Sequence, residues 1–125
     1  MTFFFDRTYG RKVPQALKIL GLAVEAHDSH FMPHTKDDQW LAAVGQSGWA
    51  VITHDKRMLY NQSERRAIVH YGVGCFVVPG AELSKWERVR ILARAWDTIQ
   101  ALAANEARPF IYRLYADGRS RRLYP

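Results

Sequence analysis

Asp6 stands directly behind Phe3-Phe4-Phe5, and Asp55 directly behind Val51-Ile52-Thr53-His54. A carboxylate that closes a run of apolar residues is costly to leave beside a core without a partner. Asp37 and Asp38 lie between these two acids in the chain, and Glu64 follows them. If the two apolar runs are central parallel strands, Asp6 and Asp55 leave the sheet at the same edge, and Asp37 and Asp38 open a helix that can begin there. Carboxylates gathered in this way repel one another unless a cation neutralises them. Oxygen ligands without thiolates suit Mg²⁺ or Mn²⁺ better than zinc. An ion held there polarises a phosphoryl oxygen and lowers the pKa of a bound water, which is the chemistry of phosphodiester hydrolysis.

The candidate metal ligands are therefore Asp6, Asp37, Asp38 and Asp55. The candidate catalytic acids are Asp6, Asp37, Asp55 and Glu64. Asp37, Asp38 and Glu64 equally suit the first turn of a helix, where acids complement the macrodipole. Lys56, Arg57, Arg65 and Arg66 follow Asp55 closely and can hold phosphates near it. His30 either fixes an irregular loop or contacts substrate. The spacing of His27, His30 and His34 occurs in some zinc sites, but no cysteine or second cluster supports that reading. His54 follows a strand residue and is read as structural.

The elements that would position these residues follow from periodicity. Thr2 to Phe5, Leu22 to Ala26, Trp49 to Thr53, Gly74 to Val78 and Phe110 to Ala116 read as strands. Helices are expected over Val13 to Leu20, Asp37 to Gln46, Ser63 to Tyr71 with Ser63 as N-cap, and Ser84 to Glu106. The last is the longest, with Trp86, Val89, Leu92, Trp96, Ile99 and Ala103 on its apolar face. Pro109 ends it, and Asp117-Gly118 can turn the final strand into a hairpin with Arg119 to Tyr124. The stretch from Asp28 to Lys36 is irregular. Strands that alternate with helices and stay apolar throughout imply a parallel sheet covered on both faces. In such sheets ligands bind beyond the carboxyl ends of the strands, which is where Asp6 and Asp55 fall.

A length of 125 residues fits one domain, with a core over about 2–116 and a basic hairpin or tail over 117–125. Eighteen Lys and Arg against twelve Asp and Glu give a net charge of +6, a balance suited to a polyanionic partner. No run approaches the roughly 18 apolar residues of a membrane span, and the opening apolar stretch stops too early for a signal peptide. The single cysteine, Cys75, excludes an internal disulfide and fits a cytoplasmic location. It lies in an apolar run and is expected to be a buried small hydrophobe.

Two segments carry a family resemblance. The first is Phe3-Phe4-Phe5-Asp6-Arg7, continued by Val13-Pro14-Gln15-Ala16-Leu17 and Leu20-Gly21. The second runs from Asp37-Asp38-Gln39-Trp40-Leu41 through Val44-Gly45 to Gly48-Trp49-Ala50-Val51-Ile52-Thr53-His54-Asp55. Together they resemble PIN-like domains, in particular the shorter branch of the VapC-class toxins of bacterial toxin–antitoxin pairs. The likeness covers roughly residues 2 to 80 and is weaker through Phe110 to Arg122. It implies an α/β/α sandwich with a central, mainly parallel sheet and a Mg²⁺- or Mn²⁺-dependent ribonuclease. The implied partners are RNA, a cognate antitoxin and, as a further option, a second copy in a homodimer. The acids of the family motif fall on Asp6, on Asp37 or its neighbour Asp38, and on Asp55. One departure stands out. Many PIN-like domains carry another acid two residues after the strand-ending aspartate, and Arg57 is found there. Glu64 is the candidate to replace it, and a fold that has lost catalysis is the alternative.

Overall fold

The computed structural model describes all 125 residues, Met1–Pro125. Its centre is a six-stranded sheet in the order β2-β1-β3-β4-β5-β6. The strands are β1 (Phe3–Phe5), β2 (Val24–Ala26), β3 (Ala50–Thr53), β4 (Gly74–Val77), β5 (Phe110–Leu114) and β6 (Ser120–Tyr124). All neighbours are parallel except β5 and β6, which form the expected antiparallel hairpin. Phe5 pairs with Ile52 in register, so β1 and β3 run side by side and end at the same edge.

Strand periodicity separates two cores. Phe3, Phe5, Ala50, Ile52, Phe76, Phe110 and Tyr112 face one side and pack with α1 (Lys12–Ile19) and α5 (Lys85–Asn105). Phe4, Val51, Cys75, Val77 and Ile111 face the other side. There they meet α2 (Asp37–Ser47), α3 (Arg57–Tyr60) and α4 (Gln62–His70) through Trp40, Leu41, Val44, Met58, Leu59 and Ile68. The three-layer sandwich expected from the apolar strands is the one observed. Cys75 is fully buried, as expected, and burial pushes its thiol pKa far up.

Local chemistry sets the helix ends. Gly48 closes α2 in the left-handed conformation at φ 73°, where a side chain would be strained. Pro14 sits in the first turn of α1, where a missing N–H removes no intrahelical bond. Ser84 caps α5 by accepting from the Glu87 N–H. At Gly74 a Cβ would come within 2.5 Å of the Phe110 ring, so the β4–β5 contact admits only glycine without rearrangement.

The sequence reading needs three corrections. Ser63 is not the cap of α4: Asn61 takes that place, its side chain accepting from the Ser63 N–H. The short helix α3, directly after Asp55, was not anticipated, because four residues are too few to show a period. Trp86 is 69% exposed and not part of the apolar face of α5. The buried stripe is Ile91, Leu92, Ala95, Ile99 and Ala103, and helical spacing puts Trp86 on the far side from it. No helix is long and apolar enough to cross a membrane.

Candidate active site

Because β1 and β3 end together, Asp6 and Asp55 meet at the carboxyl edge of the sheet. Thr53 ties them, and Thr8 ties Asp6 to the His54 backbone. Asp6 Oδ2 accepts from Thr53 Oγ1 at 2.5 Å, and Thr53 Oγ1 in turn accepts from the Asp55 N–H at 2.9 Å. Asp6 Oδ1 accepts from the Thr8 N–H at 3.1 Å and from the Thr8 hydroxyl, and that hydroxyl accepts from the His54 N–H at 3.0 Å. Thr8 lies in the one-turn 3₁₀ helix Arg7–Tyr9 that Asp6 itself caps. Asp6 is only 3% exposed. Burial raises its pKa from 3.8 to about 6, against the pull of the Thr53 and Thr8 hydrogen bonds, and the charge of Asp55 adds to the rise.

Asp37 joins from the start of α2. Its Oδ1 accepts from the indole N–H of Trp40 at 3.0 Å, and Trp40 is buried, so a core residue one turn along fixes this carboxylate. Its other oxygen lies 3.7 Å from Nη2 of Arg57. Arg57 also grips Asp55: Nη2 donates to Oδ2 at 2.7 Å, and Nε lies 3.1 Å from both carboxylate oxygens. One guanidinium thus bridges the two acids. Burial of Asp55 would raise its pKa, but hydrogen bonds from Arg57, its charge and that of Arg7 outweigh this and hold it below the usual value. The same contact keeps Arg57 firmly protonated, with Asp37 and Glu64 contributing.

Beside these acids opens a cleft of about 510 Å³, lined by Arg7, His34, Lys36, Asp37, Asp38, Arg57 and Glu64 among others. Glu64 Oε2 accepts from the Ser63 hydroxyl at 3.0 Å and faces this space from α4. Asp38 also borders it, but Asp37 is the one of the pair that reaches Arg57 and, through it, Asp55. Of the basic residues expected near phosphate, only Arg57 stands in the cleft wall. Lys56 lines a smaller depression at the ends of β4 and β5. Arg66 borders a shallow recess shared with Asp38 and Tyr124. Arg65 is taken up by structure, donating to the Leu59 carbonyl and lying 4.9 Å from the centre of the Tyr124 ring.

His30 is not brought to the cleft. Its Nε2 stands 3.4 Å from Glu25, and its ring packs on Trp49, which precedes β3 at the opposite end of that strand. Of the three loop histidines, His34 is the one in the cleft wall. His54 is structural, as read: buried, stacked on Tyr9 at 3.7 Å, with Nδ1 at 2.8 Å from the Val78 carbonyl. Burial lowers its pKa to about 4.

Sequence reasoning missed Thr8, Thr53, Arg7 and Lys36. Thr8 carried a signal, since a hydroxyl two residues after an aspartate often shares its turn. Arg7 and Lys36 carried none. They meet only because the loop before α2 folds over the Arg7–Tyr9 turn, where Arg7 donates to the Pro33 carbonyl.

As they stand, no three His, Cys, Asp or Glu side chains are grouped closely enough to hold a metal ion. Arg57 lies between Asp55 and Asp37, and Asp6 turns both oxygens to threonine donors. The donor chemistry nevertheless fits a hard divalent cation, because every acid at this edge offers oxygen and two of them already share a positive charge.

A parallel sheet with aspartates at the ends of β1 and β3, and a third at the head of the intervening helix, defines an acid-edged α/β sandwich. The chain belongs to the PIN-like family: the family described as "PIN like domain" matches residues 1–80. It is also similar to "Putative ribonuclease VapC45" of Mycobacterium tuberculosis, with 29% identity over 119 residues, covering 90% of this chain and 84% of the relative. No solved structure matches it.

Proposed function

We propose that this protein is a metal-dependent endoribonuclease, the toxin component of a toxin–antitoxin pair, with the whole chain acting as one PIN-like domain. The observation that carries the reading is the chain of contacts Asp6–Thr53–Asp55–Arg57–Asp37 at the carboxyl edge of the sheet, next to a cleft lined by Asp37 and Arg57 together with Arg7 and Lys36. Family membership and the printed name of the mycobacterial relative support it. Asp6, Asp37 and Asp55 would hold Mg²⁺ or Mn²⁺, with Glu64 and Asp38 at the margin of the site. A bound ion supplies Lewis-acid polarisation of the phosphoryl group and a water of lowered pKa.

The chain's own residues do the rest. Thr8 and Thr53 fix the orientation of the Asp6 carboxylate, and Trp40 fixes that of Asp37. Arg7 and Lys36 bind and orient the phosphodiester, a task suited to charge-assisted hydrogen bonds. RNA is the substrate and a cognate antitoxin the partner, in a cytoplasmic setting.

The test is direct. Purified protein should cleave single-stranded RNA with Mn²⁺ or Mg²⁺, stop on addition of EDTA, and lose cleavage on Asp55→Asn. Expression alone should arrest growth of a bacterial host, and the Asp55→Asn protein should not. One observation favours a second reading, a PIN-like fold that binds without cutting: Arg57 occupies the charge position between two of the acids. Absence of cleavage with every divalent ion, together with harmless expression, would decide for that scaffold.

A further inference from the structure

Arg57 touches both Asp55 and Asp37, and the geometry gives it a role. We propose that the Arg57 guanidinium is a resident cation of the acidic site, bound in competition with the divalent ion, so that metal loading requires Arg57 to leave Asp55 and Asp37. The proposal rests on the metal-dependent reading above and says what sets the affinity of that site.

Three observations support it. The guanidinium contacts Asp55 through Nε and Nη2 at 2.7–3.1 Å, and the same Nη2 lies 3.7 Å from Asp37. A single positive group thus sits between two of the acids assigned to the metal. The guanidinium donates only to the Asp55 carboxylate and its side chain is 59% exposed, so water can replace that partner. Finally, the grip on Asp55 does not depend wholly on the side chain. The Arg57 backbone N–H donates to Asp55 Oδ1 at 2.9 Å, so the carboxylate stays placed when the guanidinium departs.

Competition has a definite sign. An ion that enters must displace the ion pair, so the free energy of the pair is subtracted from that of metal binding. Truncating Arg57 removes that cost and leaves two unneutralised carboxylates. A residue that merely organised the site would have the opposite effect, because its loss would loosen Asp55 and weaken binding.

The experiment is calorimetric titration of the full-length protein with Mn²⁺, without RNA, comparing the wild type with Arg57→Ala and Lys56→Ala. The Lys56 variant removes the same charge from the neighbouring, exposed position. Arg57→Ala should bind Mn²⁺ about three- to fivefold more tightly, the scale of one partly exposed ion pair. Lys56→Ala should change affinity far less. In parallel, the ¹⁵Nε–¹H signal of Arg57 should shift on titration with diamagnetic Mg²⁺, reporting loss of its carboxylate partner. Equal or weaker binding by Arg57→Ala, an equal gain in Lys56→Ala, or an Arg57 signal unmoved at saturating Mg²⁺ would overturn the competition alone. Failure of all three proteins to bind Mn²⁺ would overturn the metal site itself, and this proposal with it.

Discussion

Replacing Asp6 with Asn tests the acid edge through stability as well as activity. Asp6 is almost fully buried, and burial raises its pKa from 3.8 to about 6. An acid whose folded-state pKa exceeds its unfolded value contributes stability below the unfolded pKa, and that contribution is lost as pH rises through the folded one. The window is therefore about pH 4 to 6, and the span between the two values corresponds to about 3 kcal/mol. At neutral pH the metal-free protein carries this as a penalty. Asn removes the charge and keeps an oxygen for the Thr8 N–H, but its amide offers Thr53 no acceptor, a loss of about 1 kcal/mol. Asp6→Asn should accordingly be about 2 kcal/mol more stable than wild type at pH 7.5 in EDTA. At pH 3.5 it should be no more stable than wild type. Urea denaturation at the two pH values reads this. His54 does not confuse the comparison. Its depressed pKa of about 4 gives stability that is lost as pH falls below its unfolded value of 6.5, but this is common to both proteins and cancels in their difference. An Asp6→Asn protein as destabilised at pH 7.5 as at pH 3.5 would refute the buried-charge argument.

Other outcomes follow from the same contacts. Gly74→Ala should cost about 1–3 kcal/mol in denaturant unfolding, because its Cβ would meet the Phe110 ring at 2.5 Å. Binding of single-stranded RNA in EDTA should weaken with salt, and Arg7→Ala should flatten the log–log slope by about one unit. Arg65→Ala should leave that slope unaltered and lower stability, since Arg65 braces the Leu59 carbonyl and Tyr124; a flattened slope would place it on the RNA path after all. Cys75 should resist thiol reagents until the protein unfolds, because burial keeps it protonated.

The architecture was legible because the strands are apolar on both faces and end abruptly. Phe3-Phe4-Phe5 before Asp6, and Val51-Ile52-Thr53 before Asp55, encode a central parallel strand and the acid at its end in one stretch. Asp37 was legible as a helix start, but its distinction from Asp38 was not, since it depends on which carboxylate the buried Trp40 indole reaches. Of the basic residues expected beside the cleft, only Arg57 lies in its wall. Proximity in sequence suggested Lys56, Arg65 and Arg66, yet α3 and α4 turn these residues toward the β4, β5 and β6 side. Arg7 and Lys36 come from distant parts of the chain and meet through a loop with no period to read. Trp86 misled for a related reason: a stripe drawn through large residues can be displaced from the stripe that packs.

The threonine bridges have a consequence for when the site comes into being. The Thr53–Asp6 and His54–Thr8 hydrogen bonds join residues separated by 47 and 46 positions. Neither half holds the acid geometry alone, and both bonds exist only once β1 has docked beside β3. A chain emerging during synthesis, or one partly opened under stress, keeps its aspartates but not their mutual arrangement. Long-range pairing of this kind forms late and cooperatively. Assembly of this acid geometry is therefore coupled to the docking of β1 beside β3, and copies in which the two strands have not paired lack it.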